Sequence, residues 1–537
     1  MPHSPRTVRD AVVQVWRDCA MTTMYCNPGS TEIPLLADLP DDIAFVLGLH
    51  EGTVVGLASG AALATGRPQL IVLHTTAGLG NAVGALATAR VTRTPLVVVV
   101  GQQDRRHLAA EPFLAGRLTG LAGDYPVSVE QPVRAGDVPS AVARAWHRAR
   151  RGRGPALVVV PMDDWGAPAD DLPLVTPERV LAGTGADDEA LAAVAGLVNA
   201  AAHPVLVVGA GADDPETWSA LETLADRWDA LVWQEPFGAR AGFDQGHPRF
   251  AGHLPAGRAR LREALSGHDL VVTVGAPMLR QYGYEPGALL PDGCEAVVLT
   301  DDPSEAERST ARLAVVAPLP SLCRRLALRT ARRDRPHAPA GLPTPLVDPP
   351  KQGELLRARQ VFAELASRLP ADATVVEETP SSRPDLHQLL PARRPGGFVS
   401  AAMGGLGFAL PAAIGIRMAD PARPVVAVVG DGSSLYAVQS LWTAARHRVG
   451  VVLIVLDNGR YAVMDRLAEQ AGAKPVWPDF DDVDVAGLAT ALGCPAGTVS
   501  THPELVAALD EVATDWYDRD QPLLLSVRVA PDHAFTP

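Results

Sequence analysis

A chain of 537 residues has room for about three domains at roughly 100–200 residues each. Its 47% apolar and 20% charged residues exclude wholesale disorder, and 48 glycines and 48 prolines without a collagen period mean many turns between short elements. A net charge of −14 excludes the basic footprint that a phosphate backbone demands, so no nucleic-acid partner is expected.

Only Lys351 and Lys474 are lysines among the 47 basic residues, so Schiff-base chemistry has two candidates. The five cysteines (Cys19, Cys26, Cys294, Cys323 and Cys494) are scattered, without metal spacing. They fit a reducing compartment. No apolar stretch reaches membrane-spanning length. The opening MPHSPRTVRD lacks the apolar segment of a signal peptide. A cytoplasmic protein is expected.

In chain order, Val-rich runs bounded by Gly, Pro or Asp fall at Leu70–Leu73, Leu96–Val100, Ala156–Val160, Val205–Val208, Leu270–Val274, Ala296–Leu299, Val425–Val429, Val451–Leu456 and Leu523–Val529. Such runs predict parallel strands covered on both faces. Between them Ala141–Arg151, Glu189–Ala202, Asp213–Trp228 and Glu504–Trp516 have helical character. The alternation predicts an α/β protein with doubly wound parallel sheets. Residues 163–188, and 331–352 with six prolines, interrupt the pattern and read as linkers. They divide the chain into 1–165, 186–330 and 353–537. In the middle piece GAGADD (Gly209–Asp214) is too short for a dinucleotide fingerprint, so neither NAD nor FAD is expected.

The third piece carries the strongest local pattern. The run Val425–Val429 leads into Gly430-Asp431-Gly432-Ser433, and Val451–Leu456 leads into Asp457-Asn458-Gly459. A Gly-Asp-Gly turn at a strand's carboxyl end lets backbone amides approach a phosphate while the Asp oxygen faces a cation. An Asn at the end of the next strand adds a second hard oxygen, suited to Mg²⁺ beside a diphosphate.

This GDGS…DN pattern resembles the diphosphate motif of thiamine diphosphate enzymes. NPGSTE (Asn27–Glu32), the turn LHEG with Glu51 and LHTTAGLGNA (Leu73–Ala82) resemble their pyrimidine-binding domain, and AAMGGLGFALPAAIG (Ala401–Gly415) resembles the segment under the thiazolium ring. GQQ (Gly101–Gln103), PMDDW and LWTAA (Leu441–Ala445) bring the chain nearest to the benzoylformate decarboxylase branch of the 2-oxo acid decarboxylase superfamily. The resemblance spans the chain in motif order. It implies three domains (pyrimidine-binding, middle and diphosphate-binding) with thiamine diphosphate and Mg²⁺ bound between two chains of a homodimer or homotetramer.

It also implies roles. Glu51 is a buried carboxyl bonded to the cofactor's pyrimidine, His74 moves protons, and Ser30, otherwise a plausible helix cap, bonds the substrate carboxylate. Leu406 holds the cofactor bent, and the carbonyl of Gly404 accepts from its amino group. Gly432 and the hydroxyls of Ser381, Ser433, Tyr436 and Tyr461 serve the diphosphate. Asp431, Asn458 and the carbonyl of Arg460 serve Mg²⁺. Leu114, Tyr282, Met403, Val463 and Leu467 line the substrate pocket with Ser30. Five departures from the family pattern stand out, and they imply a reshaped pocket: Met403 and Leu467 stand where the pattern has a smaller and an aromatic residue, and three more concern polar groups. Tyr282 replaces a second active-site His, and a phenol relays protons poorly near neutral pH. Pro380 replaces a hydroxyl residue, and Arg460 a small one, so that its cation could enter the pocket. The expected reaction is non-oxidative decarboxylation of a small-molecule 2-oxo acid to an aldehyde. A carboligase of the acyloin or acetolactate type is the alternative, which loss of the second His favours; an inactive scaffold and an oxidase are further rivals.

Overall fold

The computed structural model describes residues 6–169, 174–177, 180, 183, 185–333, 342 and 345–531. The remaining parts of both expected linkers lie outside the described residues. Eighteen strands form three six-stranded sheets, and all their pairings are parallel. The first sheet contains β1 (Thr23–Asn27), β2 (Ala44–Leu47), β3 (Gln69–Leu73), β4 (Leu96–Gln102), β5 (Ser128–Glu130) and β6 (Pro155–Pro161), in the order β2-β1-β3-β4-β6-β5. The middle sheet contains β7 (Pro204–Val208), β8 (Val232–Gln234), β9 (Phe250–His253), β10 (Leu270–Val274), β11 (Glu295–Thr300) and β12 (Leu313–Val316), in the order β12-β11-β10-β7-β8-β9. The third contains β13 (Thr374–Glu378), β14 (Phe398–Ser400), β15 (Val425–Gly430), β16 (Val452–Asp457), β17 (Ala496–Val499) and β18 (Leu523–Arg528), in the order β14-β13-β15-β16-β18-β17.

Renumbered within each sheet, the first and third orders are identical, a likeness the sequence alone does not reveal. The middle order is that of a doubly wound dinucleotide fold. Its GAGADD segment is turned to structural use. Asp214 caps its own helix, Pro215–Trp228, by accepting from the amide of Thr217 at 2.9 Å. Asp213 accepts from the amide of Gly396 in the third domain at 2.8 Å.

The nine expected runs all form strands, because Val and Leu covered on both faces leave no polar alternation to read. The strands not expected are shorter and mostly at sheet edges, such as β5, β9, β14 and β17. An edge strand is partly uncovered and tolerates polar residues.

The first and third domains pack through two helices that are apolar nearly all round, Glu51–Thr65 and Ala409–Ala419. A methyl group on Gly60 would lie 2.0 Å from the carbonyl oxygen of Ala412, so only glycine permits this approach. The middle domain is tied in by partly buried charge. Arg240 pairs with Asp213 at 3.1 Å and donates to the carbonyl of Thr92 at 2.9 Å. Arg93 and Arg153 of the first domain share Asp301 at 2.5 and 3.0 Å. Among the described residues no helix is long and apolar enough to cross a membrane, and all five cysteines are unpaired.

Candidate active site

The polar residues singled out by the sequence gather at the carboxyl ends of strands, where open α/β sheets bind ligands. In the first domain β2 ends just before His50, which caps the helix Glu51–Thr65 by accepting from the amide of Gly52 at 3.0 Å. Glu51 therefore occupies the first helical position, where the helix dipole favours an acid. It is buried, and its two carboxyl oxygens accept separately from Asn27 at the end of β1 and from Asn81 on the helix Thr75–Val91, each at 3.0 Å. Each oxygen keeps a lone pair for a ligand.

His74 ends β3 and begins that same helix. Its Nδ1 lies 3.0 Å from Glu32 Oε2. A carboxylate only accepts, so Nδ1 donates and Nε2 is the free nitrogen. Glu32 is fully buried; its other oxygen accepts from Thr31, and Oε2 also accepts from the amide of Gly29 at 2.8 Å. Gly101 makes room for it: a methyl there would sit 1.8 Å from Glu32 Oε1. Ser30 does not cap a helix. Gly29 holds the cap position, and Ser30 lies exposed in the first turn of a short 3₁₀ helix, Ser30–Glu32. Gln102 and Gln103, at and just beyond the end of β4, bind the carbonyls of Gly116 and Phe113 at 2.6 and 2.8 Å. They thereby hold the loop that carries Leu114.

In the third domain Asp431 follows β15 and is buried. Its Oδ1 accepts from the amide of Gly432 at 2.7 Å, and its Oδ2 from those of Asn458 and Gly459 at 2.9 and 2.6 Å. The amide of Gly432, in the turn expected to approach a phosphate, thus meets the Asp431 carboxylate, and those of Asn458 and Gly459 join it. Burial pushes this carboxyl up from its ordinary value while the three amide bonds pull it down. The Asn458 side-chain oxygen accepts from the amide of Arg460 at 3.1 Å. The guanidinium of Arg460 is held by Asp479 at 2.6 Å, with Asp465 at 3.9 Å. The cation that could enter the pocket is thus engaged by two acids, Asp479 and more loosely Asp465, and its backbone carbonyl remains for a ligand role. The Tyr461 ring covers Gly432, where a methyl would meet it at 2.7 Å, and packs on Phe480 at 4.9 Å between centroids. Among the described residues no cluster of three His, Cys, Asp or Glu could hold a metal alone. A lone buried carboxylate with an amide oxygen and a carbonyl fits a hard divalent cation only if phosphate oxygens complete its shell.

The turn Ala401–Leu406 follows β14. Met403 and Gly404 both take left-handed backbone conformations (φ 63° and 68°), and the exposed side chains of Met403 and Leu406 point out of the fold. Tyr436 packs behind Gly407. Ser381 follows β13, and buried Ser433 lies one turn beyond Gly430. Val463 and Leu467 ride on the helix Ala462–Gln470. Tyr282 lies with its ring 6.3 Å from Phe237, beside the segment whose Ala239 carbonyl accepts from the amide of Ser400 at 2.8 Å.

Of the site residues, Ser30, Glu51, His74 and Leu114 belong to the first domain, Tyr282 to the middle one and the others to the third. A methyl on Gly405 would meet Thr88, near the far end of the helix that His74 begins. Fourteen residues of helix separate His74 from Thr88, or about 20 Å at the usual rise.

Three segments match descriptions of thiamine pyrophosphate enzymes: residues 6–119 the N-terminal TPP binding domain, 191–326 the central domain and 381–527 the C-terminal TPP binding domain. The chain is also 37% identical over 536 residues to benzoylformate decarboxylase of Pseudomonas aeruginosa, covering 97% of this chain and 98% of the other. The chain belongs to the thiamine pyrophosphate enzyme family. Among solved structures it resembles the thiamine diphosphate-dependent 4-hydroxybenzoylformate decarboxylase of Rhodococcus jostii, with a TM-score of 0.93 and 34% identity over 98% of this chain and 100% of that one. A more distant family member is the acetolactate synthase isozyme 2 large subunit of Escherichia coli, 26% identical over 96% of this chain and 94% of the other. Thiamine diphosphate is therefore this chain's cofactor. Several residues that support the site were not among those singled out from sequence: Glu32, Asn27, Asn81 and Glu377. Glu32 and Glu377 had a signal, an acid within a stretch whose neighbours are apolar or small.

Proposed function

We propose that this protein is a Mg²⁺- and thiamine diphosphate-dependent carboxy-lyase that converts a 2-oxo acid of the benzoylformate type to an aldehyde. The observation that carries the reading is the Glu32–His74 pair, which leaves one imidazole nitrogen free beside a second buried carboxyl, Glu51. When bound, the cofactor supplies an electron sink for the pair left behind by departing CO₂. Glu51, fixed by Asn27 and Asn81, holds the pyrimidine. His74, with Nδ1–H on Glu32, carries protons on Nε2 to and from the reacting carbon and oxygen. Ser30 donates its hydroxyl to the substrate carboxylate, and the walls of the pocket are Leu114, Tyr282, Met403, Val463 and Leu467. Asp431, Asn458 and the Arg460 carbonyl hold Mg²⁺; Ser381, Gly432, Ser433, Tyr436 and Tyr461 hold the diphosphate; Gly404 and Leu406 support the rings.

Within one chain the turn Ala401–Leu406 meets the helix Thr75–Val91 at Thr88, about 20 Å along it from His74, which supports a second copy completing each site, as a homodimer or a pair of such dimers. The working units are 1–165, 186–330 and 353–537, in a cytoplasmic enzyme with free thiols. A carboligase is the second reading. Tyr282, half exposed beside Phe237, offers no second imidazole to protonate the product, and relatives include acetolactate synthases.

The test is calorimetry with thiamine diphosphate and Mg²⁺, then a panel of aromatic and aliphatic 2-oxo acids with and without an acceptor aldehyde. Release of CO₂ with free aldehyde from aromatic acids is the expected result. A coupled hydroxyketone as the main product would replace the first reading with the second, and failure to bind the cofactor would overturn both.

A further inference from the structure

Two consecutive acids, Glu377 and Glu378, end β13 with their carboxyls wholly or almost wholly buried. They reach opposite ends of the same turn. Glu377 Oε2 accepts from the Ser400 hydroxyl at 2.9 Å and pairs with Arg383 at 2.6 Å, and Arg383 also donates to Ser400 Oγ at 2.7 Å. Ser400 is the last residue before Ala401. Glu378 accepts three backbone amides, from Gly407 at 2.7 Å, Phe408 at 2.8 Å and Ala409 at 2.7 Å. These residues immediately follow Leu406. Glu377 also accepts the amide of Thr379 at 2.5 Å and its hydroxyl at 3.0 Å, which fixes the loop that leads to Ser381.

A strand places successive side chains on opposite faces. Two adjacent acids can therefore grip the two ends of a turn that passes over the strand's end, which a single side chain could not. The turn needs such a grip. Met403 is a non-glycine residue in the left-handed region, a conformation that persists only where the surroundings over-determine it. The exposed side chains of Met403 and Leu406 do not anchor it, and on that side it meets Thr88 only through the backbone of Gly405 among the described residues.

We infer that Glu377 and Glu378 are positioning residues that bracket Ala401–Leu406, setting the height of Leu406 and the Gly404 carbonyl against the cofactor, and that Arg383 and Ser400 are part of the same bracket. The inference rests on the reading of this turn as the cofactor's support. A carboxylate with three backbone donors could instead be only a cap for the helix Ala409–Ala419, so the test must read more than stability.

The test compares the full-length wild type with Glu378→Gln and Ser400→Ala, by hydrogen exchange of peptides spanning 401–409 and by calorimetry with thiamine diphosphate in excess Mg²⁺. Glu378→Gln is expected to speed exchange at 407–409 by about 10-fold or more and to weaken the cofactor by about 10-fold. It should lower kcat for a 2-oxo acid more than it raises KM, with exchange elsewhere unchanged. Ser400→Ala leaves the Glu377–Arg383 pair in place, so it folds even if the first variant does not, and it should shift exchange and affinity the same way by about 2- to 5-fold. Unchanged cofactor affinity in a folded variant, or exchange raised evenly over the whole chain, overturns the bracket. If wild type itself fails to bind thiamine diphosphate, the functional reading falls and takes the cofactor role with it; if wild type binds and the variants bind equally well, the bracket alone falls.

Discussion

The first and third sheets have the same strand order and gather their polar residues at the same carboxyl edge, but they hold a buried carboxylate with different donors. Glu51 in the first is met by two side-chain amides, from Asn27 and Asn81. Asp431 in the third is met by three backbone amides, from Gly432, Asn458 and Gly459. Side-chain donors leave lone pairs pointing outward and are fixed only by their own packing, an arrangement suited to a group that exchanges a hydrogen bond with a ligand. Backbone donors are set by the fold and offset part of the cost of burying the charged form, which suits a group that faces a cation. In the proposed reading one topology carries a proton-handling edge in one domain and a charge-holding edge in the other, and the difference lies in a few side chains.

Substitution of the two acids breaks or sharpens this contrast. Glu51→Gln keeps the shape but removes the charge, and its amide nitrogen faces one of the two Asn donors, whose side chain must flip to accept from it. Turnover should fall by about 10²- to 10³-fold, the magnitude typical of a lost preorganised electrostatic contact, while calorimetric affinity for thiamine diphosphate stays within about a factor of a few. Wild-type CO₂ release from this variant would erase the proton-handling role. Asp431→Asn should do the reverse. Affinity for thiamine diphosphate in Mg²⁺ should drop by roughly 100-fold, since loss even of outer-sphere partners costs a metal about 10- to 100-fold. Cofactor binding that is unchanged in the variant and insensitive to a chelator would refute a cation at Asp431.

Within the first domain, Glu32→Gln sharpens the contrast further. The amide can no longer serve as a carboxylate partner for Nδ1–H, and the tautomer of His74 is freed. We expect kcat to fall about 10-fold, part of the roughly 10²- to 10⁴-fold that a positioned acid–base group supplies, with its acid limb shifted and KM nearly constant. A parallel change in KM and kcat without any change in the pH profile would mean that Glu32 only packs.

The same contrast explains what could be read from sequence. The central strands were legible because a strand buried on both faces leaves an unbroken Val-rich run, as at Leu96–Val100 and Val425–Val429. Edge strands such as β9 and β14 have no such run. Asp431, Asn458, Glu51 and His74 were legible because each sits in a turn whose glycines and neighbours recur in the family. Asn27 and Asn81 lie inside the motifs NPGSTE and LHTTAGLGNA, but they act through a partner 24 and 30 residues away, Glu51, which no local spacing assigns to them. The bracket by Glu377 and Glu378 depends on where residues 400 and 407–409 fold back, which one-dimensional spacing does not contain. The partner of Arg460 was out of reach for the same reason, because Asp479 is brought to it by the return of the chain after Gln470.

Arg460 gives the smallest effect and the finest test of a charge-holding edge built from backbone. Its guanidinium is partly exposed and paired with a half-exposed Asp479, a geometry worth roughly 0–1 kcal/mol. If the residue serves the cation only through its carbonyl, Arg460→Ala should leave Mg²⁺-dependent cofactor affinity within about 3-fold of wild type and shift the urea midpoint only slightly. The strap from Trp477 to Phe480 would still be held, because Trp477 donates to Asp465 at 2.9 Å and Phe480 bonds the carbonyl of Gly459 at 2.8 Å. A loss of affinity as large as that of Asp431→Asn would show that the side chain itself compensates charge at the diphosphate, and that the third domain does not rely on its backbone alone.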